Sequence, residues 1–429
     1  MEELALARRK ARRGDRRLVA GVDLGASKVA CFIAEAGEDG SPFDVDIVGV
    51  GCCGVKLKPG AAISIEEMEN GLRRAVDAAE RMAGARIDRA LVAAPGRFLR
   101  ARRIGVDLEI ADGVVTQEDV DDAVNEGRSL AAAPDCAPLF AAPVAYRIDG
   151  ESEFDDPVGQ SGSLLSAELV GVSARESVID NLAGVLDRCG LRVSEFIPAP
   201  LAASECVLLE DEKELGVVLI DIGAASTDFA VFEGGALIDC GGVALGGVNI
   251  TKDIAKIFGA PLADAERIKT LHGAALIGPG DEHRFIDFPQ LGEGAENARA
   301  SRADLSEVII SRLEEIFELV GERILKRGGE RLMLRRAVIT GGGAHLLGAR
   351  EVAERSLEMK ARIGRPTALT GAPDAATAPG YSVCAGLVSI GAQAEAGPKF
   401  SLGAQSQSLQ WLTKPAVLGG ARAWLRAKF

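Results

Sequence analysis

The chain has 429 residues, 47% of them hydrophobic, and a formal net charge of −14, enough apolar material for two or more domains that each bury a core. The acidic balance argues against general nucleic-acid binding, and no run approaches the roughly eighteen apolar residues that cross a bilayer, so membrane contact has to be peripheral. Eight cysteines lie scattered without C-x-x-C spacing, and His272, His283 and His345 have no ligand-like spacing, which excludes a disulfide framework and a zinc site and fits a reducing, cytoplasmic setting.

Residues 1–17 carry seven Lys or Arg and read as a basic, solvated arm. A secretory leader needs an uncharged apolar stretch after such an arm, but Asp23 and Lys28 interrupt the next segment, so secretion is rejected. LVAGVD (18–23) and KVACFIAEA (28–36) read as strands, Ile65 to Met82 as an amphipathic helix and RALVAA (89–94) as a further strand, an α/β alternation. From Arg100 to Ser173 come a strand-like RRIGVDLEI, a helix-like TQEDVDDAVNEGRSL opened by Thr116 with Asp119 three residues on, and a Pro-rich APDCAPLFAAP; together they read as an inserted subdomain. A second insertion starts near Gly241, where helices interrupted by GPGDEHRFIDFP and LGEGAENA precede the strand RRAVIT. A Gly/Ala/Ser/Gln-rich stretch from Glu395 to Ser408 reads as a flexible linker.

Two segments echo each other. AGVDLGASKVACFIAEAG and VLIDIGAASTDFAVFEGG align without a gap, matching Asp23 with Asp221, Gly25 with Gly223, Ala26 with Ala224 and Glu35 with Glu233. Each copy is strand, tight glycine-bearing turn, strand, which predicts two similarly built halves. In such a turn glycine lets backbone amides approach an anion, and the aspartate at the strand end can hold a hydrated Mg2+ beside it. Ala26, Ser27, Ala224, Ala225, Ser226 and Thr227 leave room for phosphates and supply hydroxyls, and Lys28 adds a point charge. Two such hairpins facing one another would clamp a polyphosphate from both sides. A third element, AVITGGGAHL, places Gly341, Gly342, Gly343 and Ala344 between a strand and a helix, as expected where backbone passes against a nucleotide's sugar and α-phosphate.

Phosphate turn, connecting segment (PAPLAASECVL), phosphate turn, adenosine glycines, second connecting helix (YSVCAGLVSIGA): this order resembles the actin, sugar-kinase and heat-shock-chaperone ATPase superfamily. Within it, DEKELGVVLIDIGAASTDFAVF, GGVALGGVNITKDIA and AERIK are similar to the FtsA family of bacterial cell-division proteins, as is the helix-bearing insertion. The resemblance implies an actin-like two-lobed α/β ATPase fold, with duplicated βββαβα-type halves around a nucleotide cleft. Its layout would be the arm (1–17), a first lobe (18–99, 174–209 and 365–395), an inserted subdomain (100–173), a second lobe (210–240 and 330–364) with its own insertion (241–329), a linker (396–413) and an amphipathic helix (414–429). It further implies ATP and Mg2+ as ligands, the metal reached through water from Asp23 and Asp221, with Glu266 and Lys269 facing the adenosine. As bare sequence, Glu266 and Lys269 are equally an i,i+3 ion pair. Where fast ATPases of the superfamily carry Glu or Gln to orient water, this chain has Ala199, so hydrolysis is expected to be slow or absent.

KPAVLGGARAWLRAKF puts Val417, Leu418, Trp424, Leu425 and Phe429 on one helical arc flanked by Arg422 and Arg426. Such a segment anchors in an anionic interface; the competing reading is a helix packed on the protein's own body. The resemblance implies a protein that polymerises on the cytoplasmic face of the inner membrane at the division site, binds the FtsZ C-terminal peptide near Arg302 and Arg312, and recruits later division proteins such as FtsN. As bare sequence those arginines are solvated helix charges. Two alternatives stay open, a PilM-like pilus-assembly ATP-binding protein and a small-molecule kinase using Asp228 or Asp239.

Overall fold

A computed structural model describes residues 17–37, 45–55, 64–292, 296–326, 334–367 and 369–394. The arm before Arg17, the linker and the terminal helix expected at 414–429 lie outside the described residues.

The chain opens with an antiparallel meander of β1 (Arg17–Leu24), β2 (Lys28–Ala36) and β3 (Val45–Gly54). Helix α1 (Ile65–Ala83) starts where the Ser64 hydroxyl accepts the Glu67 amide and stops at Gly84, left-handed with φ 66°. It returns the chain to β4 (Arg89–Ala94), parallel to β1. β2 is apolar without alternation because both of its faces are covered: Val29 through Ala34 are all buried.

The inserted subdomain comprises β5 (Leu99–Glu109), α2 (Gln117–Leu130), β6 (Cys136–Ile148), β7 (Ser152–Phe154) and β8 (Leu164–Arg175), in the sheet order β5-β8-β6-β7. Thr116 and Asp119 form the reciprocal cap that the sequence indicates. The Pro-rich segment, to which the sequence reading gave no element, forms the first part of the long strand β6. Its register shifts at Pro138/Phe140 and Pro143/Ala145, so each proline sits at a bulge, and the outer edge of β6 meets only the three-residue β7. Those are the two settings in which a strand tolerates proline.

Helix α3 (Glu176–Arg188) leads to β9 (Arg192–Pro198), which completes a sheet of order β3-β2-β1-β4-β9. After α4 (Ala199–Val207) and α5 (Glu210–Leu215) the plan repeats. β10 (Val217–Ile222), β11 (Thr227–Glu233) and β12 (Ala236–Val243) form a second meander. It is followed by α6 (Gly247–Phe258), α7 (Leu262–His272), β13 (Phe285–Phe288), β14 (Ala298–Ser301) and α8 (Arg302–Lys326). β13 and β14 pair antiparallel, although the sequence reading took the segment holding β13 as an interruption between helices and gave β14 no strand; Phe288 anchors the pair by stacking on Phe258 at 4.3 Å. β15 (Arg336–Thr340), α9 (Ala349–Leu357) and β16 (Lys360–Ile363) complete the order β12-β11-β10-β15-β16, and α10 (Ser382–Ala394) ends the described chain.

Each sheet is thus a three-stranded meander joined at its first strand to two parallel strands. Helix α10 packs on β1, β2 and β4 of the first sheet, and α4 touches β10 and β11 of the second. The two helices press together through small residues: a side chain on Gly386 would collide with the Ala202 carbonyl. The two helices thus meet along a backbone-to-backbone seam, and α4 carries the first lobe onto β10 and β11 of the second.

Candidate functional site

The echo in the sequence is the same hairpin built twice. Asp23 pairs with Ala30 and Leu24 with Val29, just as Asp221 pairs with Asp228 and Ile222 with Thr227. Both turns are too tight for a side chain at the glycine. A Cβ on Gly25 would lie 2.8 Å from the Lys28 carbonyl oxygen, and one on Gly223 2.9 Å from that of Ser226. The second turn is also held from behind, because the Gly247 and Val248 amides at the start of α6 donate to the Gly223 and Ala224 carbonyls at 2.9 Å. Gly246 must be small there, since its Cβ would stand 2.6 Å from the Gly223 oxygen.

The triple glycine follows β15, which runs parallel to β10 with Thr340 beside Asp221. Gly341 (φ 84°) has no room for a side chain against the Asp221 carboxylate, and Gly343 has none against Ile222. Gly342 faces open space, whereas Ala344 turns into the second-lobe core. Only part of the glycine run is therefore free to meet a ligand.

Carboxylates from both lobes converge here. Burial pushes Asp23 up to about 6, against the pull of Lys28. Asp221 is raised to about 8 by burial and then by the charges of Asp228 and Asp23. Burial also lifts Asp228 to about 6, against the Gly96 amide, the Ser226 hydroxyl and Arg97. The Gly96 N–H donates to Asp228 Oδ2 at 2.7 Å, while Oδ1 is buried and makes no hydrogen bond. The charge of Asp23 on the first hairpin raises both Asp221 and Asp228 on the second, so the two hairpins face one cleft. Lys28 lies on its first-lobe side, with Nζ donating to the Gly380 carbonyl and standing 3.6 Å from the Tyr381 ring centroid.

The other predicted residues divide. Gly25, Ala26, Ala224, Ala225 and Ser226 are partly open and Ser27 is exposed. Thr227 is buried, and its hydroxyl donates to the Leu245 carbonyl at 2.9 Å, which fastens the loop before α6. Lys269 Nζ lies 2.7 Å from Glu266, 2.8 Å from the Thr251 hydroxyl and 3.0 Å from the Gly247 carbonyl. The Glu266–Lys269 pair is thus an ion pair and also a neighbour of the second turn through Gly247. Away from the cleft, Arg302 opens α8 with its guanidinium 3.7 Å from the buried Asp281 carboxylate and a buried Nε that makes no hydrogen bond. Arg312 grips Asp253 at 2.6 and 3.0 Å and also Glu315, tying α8 to α6. Sequence reasoning missed Gly96, Thr340 and the Pro379–Ser382 turn as parts of the cleft. Pro-Gly pairs at 95–96 and 379–380 were the available signal.

Two family models match the chain, "Cell division protein FtsA" over residues 218–386 and "SHS2 domain inserted in FTSA" over residues 96–173. A cell division protein FtsA from Escherichia coli (strain K12) is 36% identical over 386 residues, covering 88% of this chain and 91% of the relative. The chain belongs to the FtsA family. Its likeness to FtsA from Pseudomonas aeruginosa is 32% over 415 residues, 96% of this chain and 98% of that one, and to FtsA from Agrobacterium fabrum 32% over 381 residues, 86% of each. Among solved structures, a chain of a PilM-PilN type IV pilus biogenesis complex is 17% identical, covers 87% of this chain and 98% of its own, and has a TM-score of 0.61. That likeness is one of fold, the two-lobed actin-like ATPase fold. The SHS2 match spans the four-stranded sheet and α2, so the inserted module is the one FtsA proteins carry.

Proposed function

We propose that this FtsA-family protein binds Mg2+–ATP between its lobes as a conformational ligand and acts as a membrane-bound adaptor for FtsZ filaments. The observation that carries the nucleotide reading is the convergence of Asp23, Asp221 and Asp228 from two equivalent hairpins beside Lys28 and Gly342. Three desolvated carboxylates, with Asp23 and Asp228 raising Asp221 and Asp23 raising Asp228, and with one oxygen of Asp228 unsatisfied, fit a hydrated divalent cation. When bound, Mg2+–ATP would supply the cation that compensates this carboxylate trio and the phosphates that the turns have room for. Asp23 and Asp221 would hold the metal through its waters. Amides and hydroxyls at Gly25, Ser27, Ala224, Ala225 and Ser226 would receive phosphate oxygens, with Lys28 as the cation, whereas the Gly223 amide is taken by the Ser226 carbonyl at 2.9 Å and shapes the turn. Gly342 and the Glu266–Lys269 pair border the nucleoside. Helix α4 opens with buried Ala199 and Pro200, so nothing at that place orients an attacking water, and turnover stays below about one per second.

Family membership supports the rest. The arc of Val417, Leu418, Trp424, Leu425 and Phe429 with Arg422 and Arg426 ties the chain to anionic inner-membrane lipid on the cytoplasmic side at the division site. There it assembles into an actin-like filament and recruits later division proteins such as FtsN. No helix of the described residues is long and apolar enough to cross a membrane. Arg302, whose ion pair with Asp281 is a long 3.7 Å, is better placed to meet the acidic FtsZ C-terminal peptide than Arg312, which is gripped by Asp253 and Glu315. Co-sedimentation tests the reading: the intact chain should pellet with anionic vesicles and FtsZ when Mg2+–ATP is present. Equal pelleting without nucleotide would refute the conformational role.

A further inference from the structure

The turn just ahead of α10 joins three parts of the molecule. From the second lobe, the Gly341 amide and the Thr340 hydroxyl each donate to the Pro379 carbonyl at 3.2 Å, and the buried Thr340 and Ser382 hydroxyls lie 2.6 Å apart. Ser382 Oγ donates to the same carbonyl at 2.8 Å. From the first lobe, Lys28 Nζ donates to the Gly380 carbonyl and sits over the Tyr381 ring, which stacks on Phe32 at 5.8 Å. The far end of α10 is the end of the described chain.

An ammonium held by a carbonyl and an aromatic face is partly desolvated and bound in place. The same ammonium is the cation that phosphates in the cleft would need, and it cannot serve both partners fully. We infer that the Gly380 carbonyl and the Tyr381 ring form a resting dock for Lys28, from which an entering polyphosphate draws it away. The inference rests on the nucleotide reading above and adds a route by which occupancy reaches α10. Phosphate takes Lys28, the first-lobe grip on the turn is released, and the Pro379 bonds to Thr340 and Gly341 remain. Tyr381 is then a positioning residue that acts through Lys28. Docking lowers the apparent affinity by the fraction of molecules in which Lys28 is held back, so weakening the dock should tighten nucleotide binding. A merely structural role for Tyr381 or Gly380 gives the opposite sign.

Gly380 allows a clean perturbation. It is not in the left-handed region, and an added Cβ would stand 2.9 Å from Lys28 Nζ but 3.7 Å from the nearest Gly342 atom. The methyl of Gly380→Ala therefore displaces a flexible ammonium and strains no backbone. In calorimetric titrations with Mg2+–ATP, Gly380→Ala and Tyr381→Leu should each bind about two- to five-fold tighter than wild type, the range a half-exposed cation–π contact supports, and Tyr381→Phe should match wild type. Hydrogen exchange of the Tyr381–Ala385 amides should quicken on adding Mg2+–ATP to wild type and be fast without nucleotide in Gly380→Ala. The dock stands only if both variants bind tighter. Wild type that binds while either variant binds equally or more weakly overturns the dock alone; wild type that fails to bind overturns the nucleotide reading and the dock with it.

Discussion

Asp221→Asn should make the nucleotide-free protein more stable at neutral and alkaline pH. Asp221 is partly buried at the cleft, and its carboxyl is pushed from 3.8 to about 8, first by burial and then by Asp228 and Asp23. At about 1.4 kcal/mol per pH unit the shift corresponds to roughly 6 kcal/mol against the ionised form. Near pH 7 the group is largely protonated, which relieves about 1 kcal/mol, and cleft water screens part of the remainder, leaving a cost of about 2 kcal/mol. The sign follows from proton binding: with its pKa raised in the folded state, the folded chain holds more protons than the unfolded chain between about pH 4 and 8. Stability from this group is therefore full below the ordinary carboxyl range and is lost as pH rises through 8. A neutral amide of the same shape removes that dependence. Nucleotide-free melts should show the variant level with wild type near pH 4 and about 4 °C higher at pH 8.5, taking the usual few degrees per kcal/mol for a large domain. A variant less stable than wild type at pH 8.5, or a gain that does not change with pH, would refute the repulsive carboxylate trio.

Other perturbations follow from particular contacts. Gly386→Ala puts a methyl into the Ala202 carbonyl across the α4–α10 seam; we expect a loss of about 2 kcal/mol or more in chemical denaturation despite the gain in helix propensity. Arg312→Ala leaves Asp253 and Glu315 without their shared partner and should cost about 1 kcal/mol of stability, whereas Arg302→Glu should weaken FtsZ-peptide binding by anisotropy with little change in melting. Deleting Ala416 to Phe429 should abolish sedimentation with anionic vesicles, and unchanged binding would remove the terminal anchor from the account.

The hairpins and their partner strands were legible because their signals are local. A Gly-bearing turn after an apolar strand specifies its own geometry, and its recurrence 198 residues later in the same register announces the duplication. Helices α1 and α2 were equally plain, since Ser64 and Thr116 mark their starts. What escaped was set by distant partners. β6 carries prolines that argue against a strand until the β8 register shows bulges at both. The Gly96–Asp228 bond spans 132 positions and the Lys28–Gly380 bond 352, so neither the third carboxylate's tether nor the dock for Lys28 has a local pattern. Asp228 was visible only as a candidate kinase base; the fold makes it the residue that fastens the Pro95–Gly96 turn to the second hairpin. Arg312 illustrates the converse, a charge that bare sequence leaves on a solvated helix face and that the fold commits to Asp253 and Glu315.

The central claim is that two hairpins hold one nucleotide. A calorimetric double-mutant cycle of Asp23→Ala and Asp221→Ala, titrated with Mg2+–ATP, tests it most directly. The account predicts one site per chain in wild type, a loss of at least about tenfold in affinity for each single variant, and a double variant weaker by much less than the product because both act on the same metal. Unchanged affinity in either single variant would contradict it.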